Sequence, residues 1–185
     1  LSAKMKEAFP NLEIAPQTGD YFQVLENLKE NNSPSLLLFI GSNIGNYSST
    51  AATDLIRLFY SVMNMGDKLL IGVDLKKNPF TIHRAYYDSE GITKRFNINL
   101  LHRINRELGG DFQTEHFDFY VSYTPENGEV RSYLVSLADQ KVHISSLDQT
   151  FEFKKGETIW TELSKKYTVS ELNDMAVKEG FTPIA

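Results

Sequence analysis

Residues 36–46 read LLLFIGSNIGN, an apolar run that stops at a glycine-framed cluster of small polar residues. Such a run is the mark of a buried parallel strand in an α/β protein, and ligands bind at the carboxyl ends of those strands. A second run of the same character, Lys68 to Leu75 (KLLIGVDL), comes next and carries Asp74 near its end. Between them Ser48-Ser49-Thr50 offers caps for a helix to about Met65, with Leu55, Ile56, Phe59, Val62 and Met63 inward at helical spacing. Gly66-Asp67 supplies the stop and turn. The pattern is that of a doubly wound sheet, with a small-molecule site expected at the Gly-Ser-Asn-Ile-Gly-Asn loop.

The flanking segments extend this reading. Leu12 to Ala15 is a short strand candidate after Pro10, and Asp20 can cap a helix whose apolar face is Val24, Leu25 and Leu28. Asn31-Asn32-Ser33-Pro34 is a turn. After Asp74 the pattern changes. Pro79 to Asp88 predicts a short helix and Thr93 to Leu108 a longer one, with Phe96, Leu100, Leu101 and Ile104 on one side and Gly109-Gly110 at its end. Alternating stretches come next at 117–123, 130–137, 142–144 and 151–153, separated by Pro125-Glu126-Asn127-Gly128 and Asp139-Gln140, and predict an antiparallel meander. Val169 to Glu179 returns to helix, and Gly180 stops it. The expected organisation is an α/β core over residues 1–77, an inserted substrate lobe over 78–166, and a return to the core over 167–185.

Bulk properties narrow the function. A chain of 185 residues can bury one core or two small lobes sharing one. With 19 Lys and Arg against 24 Asp and Glu, and no basic stripe, a nucleic-acid or membrane-surface partner is not expected. No segment approaches the ~20 apolar residues of a membrane span. The chain lacks cysteine, which excludes disulfides, thiolate metal sites and thiol nucleophiles but says little about compartment; cytoplasm is taken as the default. His83, His102, His116 and His143 are scattered without metal-ligand spacing and read as structural or exposed. The opening Leu1-Ser2-Ala3-Lys4 reads as mid-helix, and Gly180 to Ala185 as the start of a strand, so both ends are expected to belong to a longer protein.

A set of short stretches then falls in order along nearly the whole chain: Gly19-Asp20-Tyr21, Phe39-Ile40-Gly41-Ser42-Asn43-Ile44-Gly45-Asn46, Gly66-Asp67, Gly72-Val73-Asp74, Arg84-Ala85-Tyr86-Tyr87-Asp88, Gly91-Ile92-Thr93, Phe96-Asn97, Asn99-Leu100-Leu101, Ile104-Asn105-Arg106-Glu107-Leu108, Gly156-Glu157 and Thr161-Glu162-Leu163-Ser164-Lys165-Lys166-Tyr167. The ordered set resembles the histidine-specific, S-adenosylmethionine-dependent methyltransferase family, best known for Nα-methylation of histidine on the way to ergothioneine. The resemblance implies a partial Rossmann-like class I methyltransferase sheet with an inserted helical and antiparallel-β substrate lobe. It implies S-adenosylmethionine as methyl donor, an amino acid as substrate, and neither a metal nor a catalytic acid–base residue. It also places the glycine-rich turn and ribose-holding acid upstream of Leu1 and a final strand pair beyond Ala185, so this piece alone is expected to bind cofactor poorly and to be inactive.

Methyl transfer to an amine is an in-line displacement, so the protein's task is to hold a neutral amine against the methyl group and exclude water. Asn46 offers a donor and an acceptor to an amino acid's zwitterionic end; it serves equally as a helix cap. Tyr86 would aim its phenol at the same end and offer an aromatic face to a cationic product, or be an ordinary half-buried tyrosine. Glu162 and Ser164 are two apart on a strand-like segment and so face one way; by the resemblance they read an imidazole, and otherwise form a solvated edge pair. Gly41 and Asn43 would line the junction of substrate and cofactor, though Gly41 also relieves a turn. Asp20 and Tyr21 match the pair placed around the adenine. Asp74 could contact a ligand or simply cap the next segment, and is left out of the expected site.

Two positions depart from the family pattern: Tyr87 stands where an acid is usual, and Ser132 where a methionine would wall the imidazole pocket. Ser132 keeps a different amino acid or small amine open as substrate. A second alternative, for this piece alone, is a non-catalytic binding or assembly module. Exposed apolar sheet edges would then favour self-association.

Overall fold

The computed structural model describes residues 2–26 and 33–184, the side chains of residues 2, 21, 22 and 26 excepted. The expected helix-face residue Leu28 and the expected turn residues Asn31 and Asn32 lie outside the described residues. Two helices open the chain, α1 (Ser2–Ala8) and α2 (Tyr21–Glu26). Strands β1 (Leu36–Phe39) and β2 (Lys68–Ile71) pair in parallel, Leu36 opposite Lys68 and Phe39 opposite Ile71. Helix α3 (Ser49–Val62) makes the crossover, its start fixed by the Ser48 hydroxyl accepting from the Ala51 amide at 3.3 Å. Its 3.6-residue period puts Leu55, Ile56, Phe59 and Val62 in the core, as the sequence predicts.

The α/β core is one-sided among the described residues. Leu37, Phe39, Leu69 and Ile71 pack on α3, whereas Leu36, Leu38, Ile40 and Leu70 are exposed. The apolar run therefore reads as buried on both faces, yet here only alternate residues are covered. The strand candidate at residues 12–15 is irregular, and residues 181–184 form no strand; among the described residues neither segment finds a ladder partner to hold it extended.

The second half is a helical and antiparallel lobe. Helices α4 (Pro79–Tyr86) and α5 (Ile92–Leu108) precede β3 (Phe117–Thr124), β4 (Glu129–Ser136), β5 (Gln140–Ile144), β6 (Gln149–Phe153), β7 (Thr158–Lys165) and α6 (Val169–Lys178). The strands do not form one meander. β4 pairs with β3 on one side and β7 on the other, while β5 and β6 make a separate hairpin. Helix α5 buries Asn97 and Leu101, with Ile98 and Ile104 packing on the lobe core, while Phe96 and Leu100 turn outward. The inward stripe is rotated from the predicted one because Asn97 has a partner inside: Thr161 donates to its Oδ1 at 2.6 Å. The start of α5 is capped by Asp88, which accepts from Thr93 and Ile92. These bonds hold its carboxyl down at about 2.

Thr161 also marks a bulge. Ser132 faces Glu162 and Tyr133 faces Trp160, so one extra residue sits in β7. The extra residue switches parity along β7. Ile159 points inward opposite Leu134, yet beyond the bulge the inward residues are Glu162 and Ser164, opposite the buried Ser132 and Val130.

The end of β7 joins the two halves. A Cβ added to Gly45, in the 3₁₀ turn Asn43–Asn46, would lie 2.6 Å from the Lys165 carbonyl oxygen. On the other side Gly128 (φ +75°) accepts from the Lys166 amide, and a Cβ there would meet the Lys166 oxygen at 2.2 Å. Lys76 and Asp74 then exchange backbone hydrogen bonds with Tyr167, whose buried phenol is pushed up to about 12 by desolvation. No helix among the described residues is long and apolar enough to cross a membrane. Gly45→Ala should push the turn off β7 and cost about 1–3 kcal/mol, as overpacking does. Urea titration of the variant is the measurement, and an unchanged midpoint would show that the turn yields without strain.

Candidate active site

A cleft of about 470 Å³ opens at the carboxyl ends of β1 and β2, where the lobe meets the α/β core. That volume falls in the roughly 300–1,000 Å³ range of small-molecule sites. Its walls are Gly41, Ser42, Asn46, Val73, Asp74, Tyr86, Glu162, Ser164 and Lys166. The loop after β1 is hooked to the end of β2 by the Ser42 amide donating to the Gly72 carbonyl at 3.0 Å. Gly41 (φ +83°) and Ser42 (φ +59°) both take left-handed angles there, and Gly41 needs its missing Cβ to do so cheaply. Tyr86, the last residue of α4, reaches the cleft because Ile82 anchors that helix against Phe119, Val121 and Val130.

One cation organises the wall. Lys166 is only 2% exposed, which is rare for a lysine without partners. Its ammonium donates to Tyr86 Oη at 2.6 Å and Ser164 Oγ at 2.9 Å, and lies 3.3 Å from Asp74 Oδ2. Tyr86 Oη in turn donates to Ser164 Oγ at 2.8 Å. The same ammonium sits 4.8 Å from the Tyr86 ring centroid, off the hydroxyl end of the ring. Lys77 donates to the other Asp74 oxygen at 2.7 Å. Burial pushes the Asp74 carboxyl up, but the bonds from Lys77 and Lys166 outweigh it and hold the group below the usual carboxylate range.

The cleft gathers Gly41, Asn46, Tyr86, Glu162 and Ser164 from three separate parts of the chain. Asn43 is outside its lining; that side chain is exposed and donates to the Ile40 carbonyl at 2.9 Å, closing the turn. Asp20 lies at the head of α2, exposed and away from the cleft walls, and the side chain of Tyr21 lies outside the described residues. Tyr87 turns from the cleft to stack on Phe119, ring centroids 6.4 Å apart. Asp74, set aside on sequence, lines the cleft. Lys166 was the larger omission. Its spacing two beyond Ser164 was the available signal, but a lysine at a strand end ordinarily points to water.

An α/β core with a polar cleft at its strand ends, roofed by a helical and antiparallel lobe, has the architecture in which α/β proteins place small-molecule sites. The chain belongs to the family of histidine-specific, S-adenosylmethionine-dependent methyltransferases, whose sequence profile matches residues 1–185. It is 30% identical over 175 residues to the histidine N-alpha-methyltransferase of Mycolicibacterium smegmatis, covering 92% of this chain and 54% of that one. It is 32% identical over 163 residues to the enzyme of the same name from Mycobacterium tuberculosis, covering 88% and 50%. A more distant relative is the L-tryptophan methyltransferase trpM of Psilocybe serbica, 28% identical over 157 residues and covering 82% and 42%. The chain spans about half the length of the first two relatives.

Because the folded Asp74 carboxyl is depressed, its ion pairs add stability above the unfolded pKa of about 3.9, and that stability is lost as pH falls through the folded value. Asp74→Asn should therefore lower the denaturation midpoint at pH 7 and converge on the unmodified protein once the pH has fallen below the folded value of Asp74. A constant gap across that range would show that the carboxylate charge is irrelevant there.

Proposed function

We propose that the protein carrying this chain is an N-methyltransferase that moves a methyl group from S-adenosylmethionine to the α-amine of an amino acid, histidine first. The observation that carries this reading is the convergence of Asn46, Tyr86, Glu162 and Ser164 on one cleft at the ends of the parallel strands. Family membership supports the reaction class, and the names of the two mycobacterial relatives support the substrate.

The cofactor, when bound, supplies an electrophilic methyl on its sulfonium. The residues present fit only one edge of such a molecule: the exposed Asp20 carboxylate can accept from an adenine amino group, with Tyr21 beside it in sequence and Gly41 at the cleft floor. The chain's own residues do the positioning. Asn46 presents an amide to the zwitterionic end of the substrate, and Tyr86 shares that end. Glu162 accepts a ring N–H, and Ser164 completes the contact. Holding the amine in one orientation against the polar walls of the cleft lowers the barrier through proximity. No proton has to be delivered to a leaving group, because the departing thioether is neutral.

A different amino acid or small amine is the second reading, and Ser132 favours it. That serine is 1% exposed and stands directly opposite Glu162 on β4, on the same face. A small residue there leaves more room beside the carboxylate than methionine would, and the tryptophan methyltransferase shows that a relative bears another substrate's name. Cytoplasm is the expected compartment. The exposed face at Leu36, Leu38, Ile40 and Leu70 supports self-association of these residues when isolated.

Calorimetric titration of histidine and a panel of other amino acids, tryptophan included, into the full-length protein with S-adenosylhomocysteine present tests the reading. Selective histidine binding is expected. Glu162→Ala should weaken it roughly ten- to hundredfold, the loss of a hydrogen bond to a charged group, with S-adenosylhomocysteine affinity unchanged. Histidine affinity that survives Glu162→Ala would sink the imidazole-reading role, and preference for another amine would move the substrate.

A further inference from the structure

The far end of β7 is pinned on two sides: the Gly45 turn packs on the Lys165 carbonyl, and the Lys166 amide donates to the Gly128 carbonyl. At the near end Trp160 faces Tyr133. From Tyr133 to Val130 β4 takes three steps, while β7 takes four from Trp160 to Ser164, so one extra residue has to sit inside that stretch. Which residue it is decides where Glu162 points. With Thr161 as the extra residue, Glu162 faces the buried Ser132 on the inner side of the sheet. Regular continuation from Trp160 would instead set Thr161 opposite Ser132 and Glu162 opposite Arg131, on the outer side.

The Glu162 side chain does nothing to correct such a shift. Among the described residues no hydrogen bond or ion pair holds its carboxylate, so the direction of that group comes from the backbone beneath it. The backbone, by contrast, is tied from both faces. Outside, Trp160 Nε1 donates to the Glu162 carbonyl at 2.9 Å. Inside, Thr161 donates to Asn97 Oδ1 at 2.6 Å, and its hydroxyl oxygen lies 3.1 Å from the Ser132 carbonyl oxygen. Asn97 is only 4% exposed, and its amide is set from the other end by Nδ2 donating to the Thr93 carbonyl at 3.0 Å. A buried amide of this kind holds its place only while its hydrogen bonds are made. Any other choice of extra residue would leave the Asn97 oxygen unpaired.

We infer that Asn97 and Thr161 are positioning residues for substrate recognition: their bond fixes Thr161 as the extra residue of the bulge and so aims Glu162 into the cleft. This rests on the reading of Glu162 as the group that accepts the substrate's ring N–H. Neither residue lines the cleft, so both act through the strand and not by touching the ligand.

The test is histidine calorimetry on the full-length protein saturated with S-adenosylhomocysteine. Combining Asn97→Leu with Thr161→Val replaces the polar pair by apolar groups of similar shape, a change that cores tolerate with little loss of stability. The paired variant should bind histidine about tenfold more weakly, the loss of a well-aimed hydrogen bond to a charged group, with S-adenosylhomocysteine affinity unchanged. Thr161→Ser keeps the hydroxyl and should stay within about twofold of the unmodified protein. In a Glu162→Ala background the paired substitutions should cost nothing further, because no carboxylate is left to aim. Should the paired variant fail to fold, Thr161→Val alone carries the same comparison. A variant that binds histidine as tightly as the unmodified protein overturns the inference, as does an equal loss with and without Glu162, which would mark a general structural role. Histidine affinity that survives Glu162→Ala overturns the imidazole-reading role and this inference with it. A loss in Glu162→Ala that the Asn97 and Thr161 substitutions do not reproduce overturns this inference alone.

Discussion

The fold depends on how closely two turns approach the end of β7. Gly45 packs against the Lys165 carbonyl from the α/β side, and Gly128 receives the Lys166 amide from the lobe side. Neither approach leaves room for a side chain. Between them they clamp the short segment 164–167, from which Ser164 and Lys166 enter the cleft and Tyr167 enters the α3 core. The cleft exists because this one strand end belongs to both halves.

Burying Lys166 at that junction would be expensive if its charge were left unmatched. Here it faces a carboxylate and two hydroxyl oxygens. The arrangement ties residues from α4, β7 and the loop after β2 to one point, so the wall is bonded together without a ligand. Preorganisation of this kind is what methyl transfer asks of a protein, since the chemistry needs orientation more than proton transfer.

Much of this was legible in the sequence, for physical reasons. The α3 stripe of Leu55, Ile56, Phe59 and Val62 repeats at the helical period and is buried as that period requires. The α5 stripe was misplaced because Asn97, a polar residue, is drawn inward by Thr161, and apolar counting cannot see a buried polar pair. Residues 12–15 and 181–184 carry strand-like composition, yet a strand needs a ladder partner and none pairs with them among the described residues.

Sequence alone determined the parallel strand pair and the crossover helix, because local periodicity depends only on neighbours in the chain; Asn46, Tyr86, Glu162 and Ser164 are singled out through the ordered motifs that carry the family resemblance. It also implied the family, to which the whole of residues 1–185 conforms. Only the tertiary structure decided which way β7 faces. The alternation of Ile159, Thr161 and Leu163 would turn Glu162, Ser164 and Lys166 toward solvent, and the bulge at Thr161 reverses it. A bulge is a property of how two strands pair, as is the burial of a lysine among partners from distant elements, and neither is written in any single stretch of sequence.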